Sequence, residues 1–276
     1  MPQSGVERVF INNAAGENKY IADSEDSAKQ CPKKLLHNIK GIIFDFDGTL
    51  FDNVKIPIRL ITAYPPDLFR LRNERLIRKQ FTGSDYSTPD EFYKAFFKAM
   101  GKACLRSPEK MRSWYFNKYM PRMVRVLKKH YKPRPGVQSV LENMSSLTGN
   151  RKIAVYSDYP FLRQRMEALE LNPGQDILLY GPESFGAQKP AVRPFLQIAR
   201  DLGVKPEEVL VIGDREETDG FGAFRAGMRF FCLETGRRRY FMLDPNRRRL
   251  DETPKGPSLV MYVGAWDDLV KLLLNK

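Results

Sequence analysis

The sequence predicts an α/β fold: a parallel sheet with helices on both faces, interrupted by an all-helical insert. Three observations carry this. From residue 136 onward, short apolar runs of strand length alternate with helix-length amphipathic segments, the pattern of successive βα units. Residues 39–46 form another short apolar run that ends in acidic residues and a glycine. That fits a buried parallel strand with a functional loop at its C-terminal end. Between these two regions, residues 52–135 carry apolar residues at helical spacing.

Taken in order, residues 1–40 are polar and lack sustained periodicity. Asn12-Asn13-Ala14-Ala15-Gly16 and Asp23-Ser24-Glu25-Asp26-Ser27 read as loop, so a polar N-terminal extension is expected there, a tail or a loosely docked arm. In the insert, Phe92, Tyr93, Phe96, Phe97 and Met100 recur at helical spacing, as do Trp114, Tyr115, Tyr119 and Met120, then Met123, Val124, Val126 and Leu127. Ser107-Pro108-Glu109 is a helix start with proline at the first position. A bundle of four or five helices follows, with its aromatic stripes as core, and Pro133-Arg134-Pro135-Gly136 closes it. Helices are then predicted at 137–147, 161–171, 191–202, 220–226 and 265–274. Strands are predicted at 152–156, 177–180, 209–212, 229–233 and 259–263. Residues 236–257, with Arg237-Arg238-Arg239 and Arg247-Arg248-Arg249, read as a basic solvated loop. No internal repeat is visible.

The chain has 276 residues, enough for one large domain or a domain with an elaborate insert, and for a full core without disulfides. Cys31, Cys104 and Cys232 are widely spaced and form no CxxC pair, so they read as buried or idle thiols. Such usage fits a reducing compartment. No apolar run reaches eighteen residues, so no membrane-spanning helix is expected. The N-terminus lacks the pattern of a secretory signal, which leaves a cytoplasmic protein as the default expectation. The net charge is +13, and its location is informative. Residues 52–135 hold 20 Lys and Arg against 7 Asp and Glu, while the rest of the chain is balanced at 26 against 26. The whole excess lies in the insert. It either attracts an anionic substrate or polyanion or forms a solvated helical surface.

Four clusters share one trait: each falls just after a predicted strand. In open α/β sheets ligands bind at the carboxyl ends of the strands, so clusters distant in sequence should converge. The first is Asp45-Phe46-Asp47-Gly48-Thr49. An ionised Asp held by a divalent cation can attack phosphorus, and a second, protonated carboxyl can donate to a leaving oxygen and then activate water. Gly48 permits the tight turn. The second is Ser157-Asp158, where a short hydroxyl can hydrogen-bond a phosphoryl oxygen; a helix cap is the plainer reading of both residues. The third is Lys189-Pro190, where a lysine in a phosphate pocket would neutralise the nucleophile and the transferring group; elsewhere it is a surface lysine. The fourth is Gly213-Asp214-Arg215-Glu216-Glu217-Thr218-Asp219, an acidic cluster suited to an oxygen-ligand magnesium site. Glu216 and Glu217 read as acids favoured by the dipole of a first helical turn.

Asp-Phe-Asp-Gly-Thr, then Ser157, then Lys189-Pro190, then Gly213-Asp214 with Asp219 five residues on, resembles the haloacid dehalogenase-like hydrolase superfamily, and its phosphoglycolate phosphatase-like, helical-cap branch. The resemblance implies a Rossmann-like three-layer α/β/α parallel-sheet core over 41–51 and 136–276, with an inserted α-helical cap over 52–135. It also implies roles. Asp45 would be nucleophile and metal ligand. Asp47 would be general acid/base and would offer its backbone carbonyl to the metal. Thr49, Ser157, Asp158 and Lys189 would bind phosphate or substrate, Lys189 also steadying the nucleophile. Asp214 would ligate Mg2+, and Asp219 would support Lys189 or the metal's waters. An acid at position 47 points to phosphate esters, since relatives that cleave carbon–halogen bonds lack one. Asp158 departs from the asparagine common in relatives, Glu216 and Glu217 add charge beside the metal loop, and residues 1–40 and 236–257 are unmatched.

The leading expectation is therefore a Mg2+-dependent phosphatase acting on a small anionic phosphomonoester through a phospho-aspartate. The alternatives are a phosphomutase using the same aspartate, or, from a different class, a nucleic-acid or polyanion binder on the same scaffold. Intact Asp45, Asp47, Lys189 and Asp214 favour retained chemistry over pure binding. Cap residues Arg59, Arg70, Arg72, Arg75 and Arg78 are candidates for substrate contact.

Overall fold

A computed structural model of the chain describes residues 8–12, 18–21, 35–147, 152–235 and 259–274. The loop expectations for 23–27 and 236–257, and Cys31, lie outside the described residues.

The apolar run before the first acidic cluster forms strand β3 (Gly41–Asp45), buried at every position. It lies inside the sheet, between β6 and β4. With β1 (Arg8–Asn12), β2 (Asn18–Ile21), β4 (Lys152–Tyr156), β5 (Ile177–Tyr180), β6 (Val209–Gly213), β7 (Arg229–Leu233) and β8 (Leu259–Gly264), it makes an eight-stranded sheet of order β2-β1-β8-β7-β6-β3-β4-β5. The pairings from β5 across to β8 are parallel. Strand β6 of the structure extends the predicted strand by Gly213.

Of residues 1–40, expected as a tail or a loosely docked arm, the described residues 8–12 and 18–21 are strands. β1 and β2 form an antiparallel hairpin, and β1 adds antiparallel to β8, extending the sheet. The strands are short and show no period-two alternation, Val9-Phe10-Ile11 being a continuous apolar run, and pairing to an existing edge supplies their backbone partners.

Strand side chains alternate between the two faces of the sheet. Ile42, Phe44, Ile153, Val155, Leu210, Ile212 and Phe231 point to one face. They meet helices α6 (Val137–Leu147), α7 (Leu162–Ala168) and α11 (Trp266–Leu273). Ile43, Ala154, Tyr156, Val209, Val211 and Phe230 point to the other face. There they pack on α8 (Pro182–Phe185), α9 (Val192–Asp201) and α10 (Phe221–Arg225). Three layers result. Helix α7 is shorter than predicted: Phe161 sits at φ +62° before it, and the helix stops at Leu169.

Between β3 and β4 the chain makes the helical insert: α1 (Ile56–Ala63), α2 (Leu68–Gln80), α3 (Pro89–Cys104), α4 (Pro108–Trp114) and α5 (Met120–His130). A π-helical turn, Tyr115–Tyr119, joins α4 to α5. Thr88 and Ser107 cap α3 and α4, each accepting from the backbone N–H three residues on, with proline at the first position. Phe92, Phe96, Phe97, Trp114, Tyr115 and Tyr119 are all buried, so the aromatic stripes are core. They are continuous with the apolar face of the sheet that holds Phe44.

The insert is also fastened to the core through the loop between α2 and α3. Gly83 N–H donates to the Lys189 carbonyl, Gln188 N–H to the Ser84 carbonyl, and Tyr86 N–H to the Gly186 carbonyl. Arg193 forms an ion pair with Asp85 beside them. Cys104 is buried and Cys232 half-buried, both as free thiols.

Candidate active site

The parallel register brings the chemistry-bearing residues together. Asp45 pairs with Tyr156 across β3 and β4, and Phe44 pairs with Ile212 across β3 and β6. Ser157 and Asp214 therefore follow their strands at the same edge at which Asp45 ends its own. The chain runs from β4 to one side of β3 and from β6 to the other, so this edge is a topological switch point, where α/β sheets open a crevice.

Asp45 is 7% exposed. Its Oδ1 accepts from Lys189 Nζ at 2.6 Å and its Oδ2 from Thr49 Oγ1 at 2.8 Å. Burial raises its pKa; Lys189 opposes this and the Asp219 and Asp47 charges add to it, with a net result of about 6. Lys189 Nζ also donates to Asp219 Oδ1 at 2.8 Å. Burial alone would lower the lysine's pKa, but the charges of Asp219, Asp45 and Asp158 outweigh it and hold Lys189 protonated. The Nζ sits 4.9 Å from the centroid of the Tyr156 ring, an added cation–π contact.

Asp47 stands in a second cluster. Its Oδ2 accepts from Ser157 Oγ at 2.8 Å and its Oδ1 from Arg165 Nη2. Ser157 Oγ itself accepts from Arg165 Nη1 at 2.9 Å and from the Tyr159 amide at 3.1 Å. The fourth cluster closes over the first. Oxygens of Asp45, Asp214 and Asp219 lie within 4.8 Å of one another. Gly48 explains the tightness: it has φ +101°, and a Cβ there would come 2.5 Å from Asp214 Oδ2. Oxygens of three buried carboxylates thus converge beside Lys189, and this hard oxygen donor set fits a divalent cation such as Mg2+.

The positions selected from the sequence resolve as follows. Asp45, Lys189, Asp214 and Asp219 form one contiguous group, and Asp47 with Ser157 forms its neighbour. Thr49 is fully buried and gives its hydroxyl proton to the Asp45 carboxylate, so it orients that side chain. Asp158 is half-buried, and its Oδ1 accepts from the Lys189 backbone N–H at 3.0 Å, which braces the lysine's loop. Glu216 and Glu217 lie on a π-helical turn, Glu216–Gly220, at its N-terminal side.

Three arginines escaped the sequence reading or were undifferentiated in it. Arg165, on α7, is fully buried. Arg134, in the segment closing the insert, donates to the carbonyls of Gly48 and Thr49 at 2.9 and 3.0 Å and so fixes the turn after Asp47. Arg78, on α2, donates to the Asp158 carbonyl at 2.8 Å, to Tyr115 Oη and to Glu74. Among the insert arginines it alone reaches the Ser157–Asp158 loop in these contacts. Arg70 is paired with Asp67, Arg59 donates to the His130 carbonyl, and Arg72 and Arg75 are exposed. An arginine that reads as surface in a basic helix carries no sequence mark of its inward turn.

A family model described as haloacid dehalogenase-like hydrolase matches residues 39–227, well over half of the chain. The chain belongs to this family. A haloacid dehalogenase-like hydrolase of this kind has curated relatives of phosphatase name. The phosphoglycolate phosphatase of Aquifex aeolicus (strain VF5) is 29% identical over 188 residues, covering 64% of this chain and 77% of that protein. The glyceraldehyde 3-phosphate phosphatase of Methanopyrus kandleri is 42% identical over 72 residues, covering 26% of this chain and only 29% of that protein. Among solved structures, the 2-haloacid dehalogenase of Pseudomonas syringae pv. Tomato DC3000 superposes with a TM-score of 0.52 at 21% identity, covering 75% of this chain and 91% of that one. That likeness shows the same fold, with which the helical insertion is consistent.

Proposed function

We propose that this hydrolase is a Mg2+-dependent phosphatase that cleaves a small anionic phosphomonoester through a phosphorylated Asp45. The observation that carries the reading is the pair of neighbouring aspartates in different settings: Asp45 against Lys189 and Thr49, Asp47 against Ser157 and Arg165. Two carboxylates so separated suit two roles, attack on one side and proton transfer on the other. The phosphatase names of the Aquifex aeolicus and Methanopyrus kandleri relatives support the same class.

In this reading an Asp45 oxygen attacks phosphorus, and the bond to the ester oxygen breaks. Asp47 gives a proton to the departing oxygen, then takes one from the water that hydrolyses the acyl phosphate. Lys189, held charged by its carboxylate neighbours, offsets negative charge on Asp45 and on the phosphoryl group. Ser157, whose hydroxyl donates to Asp47 in the free site, would turn that proton to a phosphoryl oxygen when substrate binds. Asp45 and Asp214 would hold Mg2+, with Asp219 beside them; when bound, the ion supplies electrophilic stabilisation of the phosphoryl oxygens. The basic surplus of the insert raises the local concentration of a substrate with additional negative charge.

The test is phosphate release from a panel of phosphorylated metabolites in Mg2+, with Asp45→Asn alongside. The wild type is expected to turn over one or more small phosphomonoesters and Asp45→Asn none. Undiminished turnover by the variant would remove Asp45 as nucleophile.

A further inference from the structure

Arg165 is a fully buried cation that the roles above leave unused. Burying a guanidinium is costly unless it is paired and hydrogen-bonded, so its partners are informative. One flat guanidinium holds two residues at once: Nη2 donates to Asp47 Oδ1 and Nη1 to Ser157 Oγ. Its centre lies 4.7 Å from the centroid of the Phe46 ring, the residue between the two aspartates, and 5.5 Å from that of Tyr159. The group is therefore packed on one side and pinned on the other.

The hydrogen-bond count around Ser157 sharpens the point. Its oxygen already accepts from Arg165 and from the Tyr159 amide, so its single proton goes to Asp47 Oδ2. Each Asp47 oxygen thus spends one lone pair on this cluster and keeps one for a transferred proton. Arg165 thus holds Asp47 directly at Oδ1 through Nη2 and, by way of Ser157, at Oδ2 through Nη1, with a guanidinium whose geometry is rigid.

We infer that Arg165 is a positioning residue for Asp47: its fork holds the carboxylate where it can deliver a proton to the leaving oxygen. This rests on the phosphatase reading. It goes further in assigning proton-transfer geometry to a residue of helix α7. The consequence is selective. Loss of Arg165 should slow esters whose leaving group needs a proton and spare those whose leaving group departs as a stable anion. An arginine that merely stabilised the fold would slow both alike.

The experiment compares kcat/KM for benzyl phosphate, whose alcohol leaving group needs a proton as it departs, with that for 4-nitrophenyl phosphate, whose leaving group departs as a stable phenolate. The ratio is taken within one preparation, so the folded fraction cancels. For Arg165→Met the benzyl ester should lose about 100-fold or more and the nitrophenyl ester about tenfold at most, following the size of general-acid effects. Asp47→Asn should shift the ratio in the same direction. Arg165→Lys keeps the buried charge but not the fork, and should shift it by a smaller factor; it carries the test if Arg165→Met does not fold. Equal losses on both esters in the Arg165 variants, with the ratio still shifted in Asp47→Asn, overturn this inference alone. A wild type that hydrolyses neither ester and forms no acyl phosphate on Asp45 overturns the phosphatase reading, and this inference with it.

Discussion

At the scale of single residues, the site is a convergence of buried carboxylates around a buried lysine. Asp45, Asp214 and Asp219 converge, and Lys189 bonds directly to the first and the last. Two such acids cannot stay ionised together without a counter-charge, which is why burial and neighbouring carboxylates push Asp45 up to about 6. A divalent cation would find hard oxygen donors in this group, with Asp214 among them. Asp214→Asn is therefore expected to weaken Mg2+ binding by about tenfold or more, measured by titration calorimetry on the whole protein. Unchanged affinity would place the ion elsewhere. Asp47→Asn should lower kcat by about 10²–10⁴-fold while leaving Mg2+ binding near the wild-type value, because its side-chain oxygens face Ser157 and Arg165.

At the scale of elements, the main question is how a helical insert comes to act on a site built by the sheet. Part of the answer is the strap formed by the loop between α2 and α3, whose backbone bonds to Gly186, Gln188 and Lys189. Gly186 makes it possible. It has φ +65°, and a Cβ there would stand 2.0 Å from the Thr88 carbonyl oxygen, at the cap of α3. Gly186→Ala should therefore push the strap off the Lys189 loop. The expectation is a loss of activity and a drop in the urea midpoint well beyond that of Gly174→Ala. Gly174 has φ +62°, and a Cβ there would meet nothing within 4 Å, so it registers only the left-handed backbone cost of about 1 kcal/mol. Equal effects from the two substitutions would mean that the strap matters little. Arg78 is the second link, tying α2 to the carbonyl of Asp158.

At the scale of the whole molecule, the insert holds a charge cluster of its own. Asp67 is 1% exposed and accepts from Trp114 Nε1, Arg122 Nη2 and Arg70 Nη1. Burial alone would raise its pKa, but those hydrogen bonds outweigh it and hold the carboxyl below its usual range. A depressed folded-state pKa stabilises the fold above the unfolded value, near 4, and the contribution is lost as pH falls through the folded value. Wild type should accordingly lose more stability between pH 7 and pH 3 than Asp67→Asn does, read from urea midpoints at the two pH values. At pH 7, Asp67→Ala should cost about 3–5 kcal/mol, since it leaves Arg122 buried without its carboxylate. Among the described residues no helix is long and apolar enough to cross a membrane.

The order of the strands after residue 136, the helical character of residues 52–135 and the positions of Asp45, Asp47, Ser157, Lys189, Asp214 and Asp219 were all determined by the sequence. Periodicity and strand-end acids are local signals, and a parallel sheet converts strand ends into one edge. Tertiary structure decided the rest. The β1–β2 hairpin needed the edge of β8 to give two short segments their backbone partners. Thr49 and Asp158 look like phosphate ligands in sequence, yet only the fold shows their oxygens engaged with Asp45 and the Lys189 amide. Arg165 and Arg78 are two among many basic residues until packing turns them inward. Which arginine meets Asp47 is set by how α7 lies against the sheet, a long-range contact that no local pattern encodes.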